Sequence, residues 1–327
     1  MQTSPSIALV TTTTRLKGLL SKFGTKGAAR FRLKSSKSHF ALQNDSTDAI
    51  ALSADADFDA YVAEDDQYRR AVDAVEDSLH GLGYTLVDVE RRFLATYDFR
   101  HTHLVVVVGP DGLVANTAKY VGDIPIVAIN PDPSRIDGVL LPFGVDQTRN
   151  AVVKTLDQQS KIREITLARV QLPDGQSMLA FNDFFIGRRS HVSSRYVLYN
   201  DGRSEVQSSS GMIVSTGAGS TGWLSSVFNM SRGITQWIGG DEGDPLEMTW
   251  SDRRLAWIVR EPFASRTTGV EMVAGTIDEP NELRVESLMP ESGVIFSDGI
   301  ENDFLEFNSG AIAEIDVAPQ RSRLVVS

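Results

Sequence analysis

The run Val105-Val106-Val107-Val108-Gly109-Pro110-Asp111-Gly112 ends an uninterrupted apolar segment with one carboxylate held between two glycines. Two kinds of chemistry fit it. Pro-Asp-Gly is a turn signal, because proline presets φ and glycine tolerates unusual backbone angles. A turn that closes a buried strand and opens a helix can instead cradle a phosphate, since its unpaired N–H groups and the helix dipole favour anions. Asp111 would itself repel a phosphate. In that second reading its carboxylate takes a proton from a nucleophile, or holds a phosphate-bound Mg²⁺. The residues that follow favour the second reading. "LVANTAKYVG" (113–122) is helix-compatible and "IPIVAIN" (124–130) is the next β run, so the order is strand, glycine turn, helix, strand. Sheets of that kind place ligands at the carboxyl ends of their strands.

Other chemistries are excluded or unsupported. The chain has no cysteine, which removes disulfides, thiolate nucleophiles and Cys-ligated metals. His39, His80, His101, His103 and His191 show no metal-ligand spacing, and His101/His103 read as the opening of a strand, so no metal site is expected. The net charge of −11 argues against nucleic acid or an anionic membrane as partner. No stretch approaches the ~18 apolar residues of a membrane span, and the start lacks a signal-peptide pattern. A cytoplasmic location is expected.

The elements around Asp111 follow from hydrophobic spacing. "HLVVVV" (103–108) is apolar on consecutive residues, as in a parallel strand covered on both faces. Ile7–Val10 reads as a first strand ahead of a Thr-rich turn. Tyr68, Val72, Val75 and Leu79 fall on one helix face, stopped by Gly81 and Gly83. The polar segment 34–59 is expected to be a long surface loop or insertion. Beyond Asn150, short alternating strands separated by turns such as Asn200-Asp201-Gly202 and Ser297-Asp298-Gly299 indicate an antiparallel sandwich. The expected fold is an α/β domain over 1–148, Rossmann-like with a mostly parallel sheet, and an all-β sandwich-like domain over 149–327. The C-terminal tail is expected to pack back on the first domain, and a ligand cleft is expected where two unlike domains meet.

The same residues carry a resemblance to the NAD kinases. "VVVVGPDG" with "PIVAIN" resembles their Gly-Gly-Asp-Gly region. "VTTTTR" and "INPDPSRIDGVLLP" resemble the mitochondrial type and its bacterial relatives. "LAFNDFFIGRRSHVSSRYVLYNDG", "SSSGMIVSTGAGSTGW", "VREPF" and "SDGIENDFLEFNSGAIAEI" continue the resemblance in order to near the end. It implies an ATP-dependent kinase that makes NADP from NAD with Mg²⁺, and at least a homodimer. Asp111 would accept the proton of the adenosine-ribose 2′-hydroxyl. Gly109, Gly112 and Asn130 would meet nucleotide phosphates. Asn182 and Asp183 would grip NAD, with the loop residues Thr216, Gly219, Ser220 and Thr221 and the aromatic Trp223. Asp298 reads as a simple turn residue. Pro110 stands where the family has Gly, Leu113 where it has Thr, and Trp223 where it has Tyr. The first two departures weaken the phosphate loop, and the double exchange Pro110→Gly with Leu113→Thr is expected to raise the rate. They also motivate an alternative, a catalytically impaired NAD(P)-binding regulatory protein; a small-molecule or lipid kinase of the same fold is a third reading. The donor (ATP or polyphosphate) and the acceptor (NAD or NADH) stay open.

Overall fold

A computed structural model describes residues 6–41, 47–241, 243 and 246–327, with the side chains of 34–57 left aside. The chain divides into two compact units, one of residues 1–117, 124–161 and 325–327, the other of 118–123 and 162–324.

The first unit is α/β. Its elements are β1 (Ser6–Thr11), α1 (Arg15–Phe23), α2 (Lys26–Ala41), α3 (Thr47–Leu79), β2 (Thr85–Glu90), β3 (Thr102–Val108), α4 (Asp111–Ala118), β4 (Pro125–Asn130), β5 (Phe143–Gly144) and α5 (Thr148–Leu156). The strands lie in the order β2-β1-β3-β4-β5, and every pair is parallel. Leu104 to Val108 are all fully buried, which is the two-sided burial that the unbroken valine run predicts. Each such side chain contributes roughly 1.5–3 kcal/mol relative to exposure. The face formed by Val75 and Leu79, with Tyr68 and Val72 beside them, packs on Ile7, Leu9, Val106 and Ile129. α3 stops where Gly81 takes φ 78°.

Where it is described, the segment 34–59 is helix rather than the expected loop. Helix α2 runs through residue 41 and α3 begins at Thr47; residues 42–46 lie outside the described ones. No proline occurs between Pro5 and Pro110 and no glycine between Gly27 and Gly81, while Ala49, Ala51, Ala54, Ala56, Ala60 and Ala63 favour helix. Leu16, Ala29 and Phe58 form a small core where α1, α2 and α3 meet.

The second unit is an antiparallel sandwich with one helix. It comprises β6 (Lys161–Gln171), β7 (Ser177–Ala180), β8 (Asp183–Arg188), β9 (Ser194–Asn200), β10 (Arg203–Ser209), β11 (Met212–Ser215), α6 (Trp223–Trp237), β12 (Arg254–Val259), β13 (Ala274–Asp278), β14 (Leu283–Ser287), β15 (Gly293–Ser297), β16 (Phe304–Glu306) and β17 (Ile312–Val326). One layer runs β13-β12-β11-β8-β15-β16. The other carries β10-β9-β14-β17, with β6 and β7 beyond it. Phe184, Met212, Trp257 and Ile295 from the first layer bury against Val170, Leu198, Val285 and Ile315 from the second. "SMLAFNDFFIG" splits into two strands at Phe181-Asn182, the point where the candidate site is built. The two expected fold classes, a mostly parallel α/β sheet and an antiparallel sandwich, are both present.

Candidate active site

The parallel sheet grows in opposite directions from β1 and β3, so the loops after these strands diverge at their carboxyl ends. Sheets of this order hold ligands at that point. A cavity of about 350 Å³ lies there, lined by Thr12, Thr13 and Arg15 after β1, Arg91 after β2, Pro110 after β3 and Arg135 after β4. Tyr68 ties the two strand ends together. Its hydroxyl accepts from Thr12 N at 2.9 Å and donates to Val108 O at 2.8 Å. Burial pushes this hydroxyl up to about 12, so it stays protonated and keeps donating. Thr14 caps α1 by accepting from Lys17 N at 3.3 Å and donates to the buried Asp65 at 2.5 Å. Arg15 pairs with Glu64 and Arg135 with Asp132. Arg91 is exposed and has no ion-pair partner among the described residues. The cavity thus offers guanidinium groups and hydroxyls for an anion, and two carboxylates for hydroxyls or an amine.

Asp111 opens α4. Its Oδ1 accepts from Leu140 N at 2.5 Å, and no donor among the described residues reaches Oδ2. The carboxylate is half-buried, with one oxygen fixed and one open. The loop before it is tight. A Cβ on Gly109 would come within 2.8 Å of Leu113 Cδ2. Gly112 is exposed, with open space where a side chain would stand. Pro110 is exposed on the cavity wall. Asn130 is buried: its Nδ2 donates to Ile136 O and its Oδ1 accepts from Asp132 N, both at 3.0 Å. It shapes the loop after β4 from within.

Leu113 is buried at 1% exposure, in the core of its unit rather than on the loop surface. That position changes what its exchange should do. Leu113→Thr deletes packed methyl groups and buries a hydroxyl, and should cost roughly 2–3 kcal/mol of unfolding free energy. A urea titration showing wild-type stability for this variant would contradict the packing. Pro110→Gly alone is therefore the cleaner probe of the loop.

In the second unit, the loop after β11 clamps the chain between β7 and β8. Thr216 N donates to Asn182 O at 2.9 Å, and Thr216 Oγ1 donates to Phe181 O at 2.6 Å. Gly219 N returns a bond to Thr216 Oγ1 at 3.2 Å, and Ser220 Oγ donates to Gly217 O. A Cβ on Gly219 would sit 2.1 Å from Asn182 O, so only glycine fits. Thr221 is exposed, and the cap position of α6 is Gly222. The Asn182 side chain is half-buried, with no hydrogen-bond partner among the described residues.

Asp298 lies behind this turn, its side chain buried. Its Oδ1 accepts from Asn182 N at 2.6 Å and Asp183 N at 3.4 Å, and its Oδ2 from Phe181 N at 3.1 Å. Lys119 Nζ stands 3.5 Å from Oδ2 and donates to Ser297 Oγ at 2.8 Å. Burial, with the Asp298 charge beside it, pushes the Asp183 carboxyl up to about 7. Trp223 stacks on Phe185, which stacks on Phe296, and the Arg260 guanidinium lies over the Trp223 ring. These rings, with Arg188, Arg189 and His191, line a cavity of about 310 Å³ suited to a flat, anionic ligand.

Among solved structures, the chain is similar to yeast NADH kinase complexed with NADH. The TM-score is 0.58 over 100% of this chain and 84% of that one, at 13% identity. It is also similar to an NAD kinase from Archaeoglobus fulgidus in complex with ATP, with a TM-score of 0.52 over 77% of this chain and 88% of that one, at 19% identity. The chain has the NAD kinase fold. No family model matches the sequence, and no curated protein does.

Within this NAD kinase fold, three site features escape sequence reasoning. Tyr68 reads as one more apolar position of a helix stripe. Thr12 and Thr13 read as a polar turn. Asp298 reads as a turn residue and does take φ 53°, yet its carboxylate is an internal anchor. The signal that could have exposed it is Lys119, the one charge in the stretch 113–121, which needs a counter-charge if buried.

Proposed function

We propose that this chain is an NAD kinase, transferring the γ-phosphoryl group of ATP to the adenosine-ribose 2′-hydroxyl of NAD. The observation that carries the reading is Asp111, with one oxygen held by Leu140 N and the other open, beside the cavity where the parallel sheet changes direction. In the step, the 2′-O–H bond breaks and its proton passes to Asp111 Oδ2. The 2′-oxygen bonds to the γ-phosphorus, the bond from that phosphorus to the β-phosphate oxygen breaks, and ADP leaves. A positioned base of this kind contributes typically ~10²–10⁴-fold. The donor nucleotide occupies the Thr12–Arg135 cavity, where guanidinium groups and the α1 N-terminus suit its phosphates. Mg²⁺ bound to the phosphates of ATP would supply charge stabilisation for the transferred group.

Asn182 and Asp183 take the adenosine of NAD, as the resemblance assigns: the amide reads the adenine edge and the carboxylate accepts from ribose hydroxyls. The stacked Trp223 supports a role as an aromatic platform. The "VTTTTR" and "INPDPSRIDGVLLP" segments support the mitochondrial-type subgroup. The exposed Ile234, Trp237 and Ile238 on and just past α6 support a homodimer. No helix among the described residues is long and apolar enough to cross a membrane.

Purified protein with NAD, ATP and Mg²⁺ should accumulate NADP, detected with an NADP-specific dehydrogenase. One observation favours a second reading, an NAD(P)-binding regulator: Pro110 removes a backbone donor from the phosphate loop. NAD binding without turnover, restored to turnover by Pro110→Gly, would select it.

A further inference from the structure

We propose that Asp298, braced by Lys119, is the positioning residue of the dinucleotide site: it fixes the Asn182-Asp183 turn and makes NAD capture depend on the proton of Asp183. This rests on the reading of Asn182 and Asp183 as the grip on NAD, and it assigns work to two buried charges that the transfer step does not use.

The geometry is specific. One carboxylate receives three consecutive backbone N–H groups, those of Phe181, Asn182 and Asp183. Asp298 N in turn donates to Asp183 O at 2.9 Å, so the two segments hold each other reciprocally. The Asp298 and Lys119 side chains are each 3% exposed, which makes this an ion pair shielded from solvent. Burial pushes the Asp298 carboxyl up, while Lys119 and the three backbone N–H groups pull it down; each hydrogen bond to its oxygens is donated to it, which favours the charged form. Its charge lies next to Asp183, which is 7% exposed and has no hydrogen-bond donor among the described residues. The other ionisable groups of the cluster, Tyr120 and Asp303, are bonded to each other at 2.6 Å. Burial and the Asp298 charge together hold the Asp183 proton to about pH 7.

The sign follows. Below about pH 7 Asp183 is protonated and a poorer acceptor for ribose hydroxyls; above it the charged form accepts from two. NAD affinity should therefore rise as pH rises through about 7. Asp298→Asn removes the neighbouring charge and part of the amide anchor. It should raise KM for NAD about tenfold or more while leaving KM for ATP unchanged, and it should move the midpoint of the NAD profile to lower pH by at least about half a unit. A merely structural defect would disturb both substrates and leave the midpoint in place, and that result overturns the proposal.

A direct measurement separates this proposal from the kinase reading. Carboxyl ¹³C NMR of aspartate-labelled full-length protein, with the resonance identified by its loss in Asp183→Asn, reports the Asp183 proton whether or not NAD binds. A titration near neutral pH that drops in Asp298→Asn supports the device even if no NADP is formed. A titration in the ordinary carboxylate range in the wild type overturns it, and this result needs no folded variant of Asp298.

Discussion

Asp111→Asn should lower kcat for NADP formation by ~10²–10⁴-fold while leaving the protein folded and NAD bound. The asparagine carbonyl can still accept from Leu140 N, so the loop after β4 keeps its anchor. What disappears is the open oxygen that takes the proton, a loss of about 3–5 kcal/mol of transition-state stabilisation. The first-turn charge on α4 goes with it, worth ~0.3–1 kcal/mol of folding stability. Steady-state kinetics beside a thermal melt read both effects. A variant that retains more than about a tenth of wild-type kcat would remove Asp111 from the role of base.

Gly219→Ala should have the second-largest effect, and on the other substrate. The added carbon would lie 2.1 Å from the carbonyl oxygen of Asn182, a backbone atom that cannot rotate away. The clamp between Thr216 and Asn182 must open, costing roughly 1–3 kcal/mol of stability as overpacking does. The Asn182 backbone, and with it the placement of its side chain, then shifts, and KM for NAD should rise by about tenfold or more, equivalent to at least ~1.4 kcal/mol. Donor binding in the first unit should not change. Calorimetric titration with NAD and separately with ATP distinguishes the two, and equal losses would point to global unfolding instead.

Local signals carried much of the architecture. Four valines in succession can be covered only on both faces, and they mark the central parallel strand. Tyr68, Val72, Val75 and Leu79 identify the helix that covers it. The helical parts of 34–59, up to residue 41 and from Thr47 on, are illegible for a physical reason. Apolar residues there are sparse and show no clear helical spacing, and the helices rest on alanine content and freedom from Gly and Pro. The site divides in the same way. Asp111 is visible because its neighbours in sequence are also its neighbours in space. Asp298 is not, because its partners at 181–183 lie more than a hundred residues away and the Ser-Asp-Gly pattern satisfies a turn by itself. Leu113 is hidden for a related reason: position within a loop motif does not tell which way a side chain points, and this one points inward.

The central claim is that the phosphoryl group lands on one particular sugar oxygen, and ³¹P NMR of the reaction mixture tests it most directly. With wild-type protein, NAD and Mg·ATP, a new phosphomonoester signal matching the 2′-phosphate of NADP should grow as the γ-phosphate signal declines, and Asp111→Asn should leave both signals static on the same timescale. ATP consumed with phosphate released as the free ion, or an ester formed at any other hydroxyl, would contradict the account.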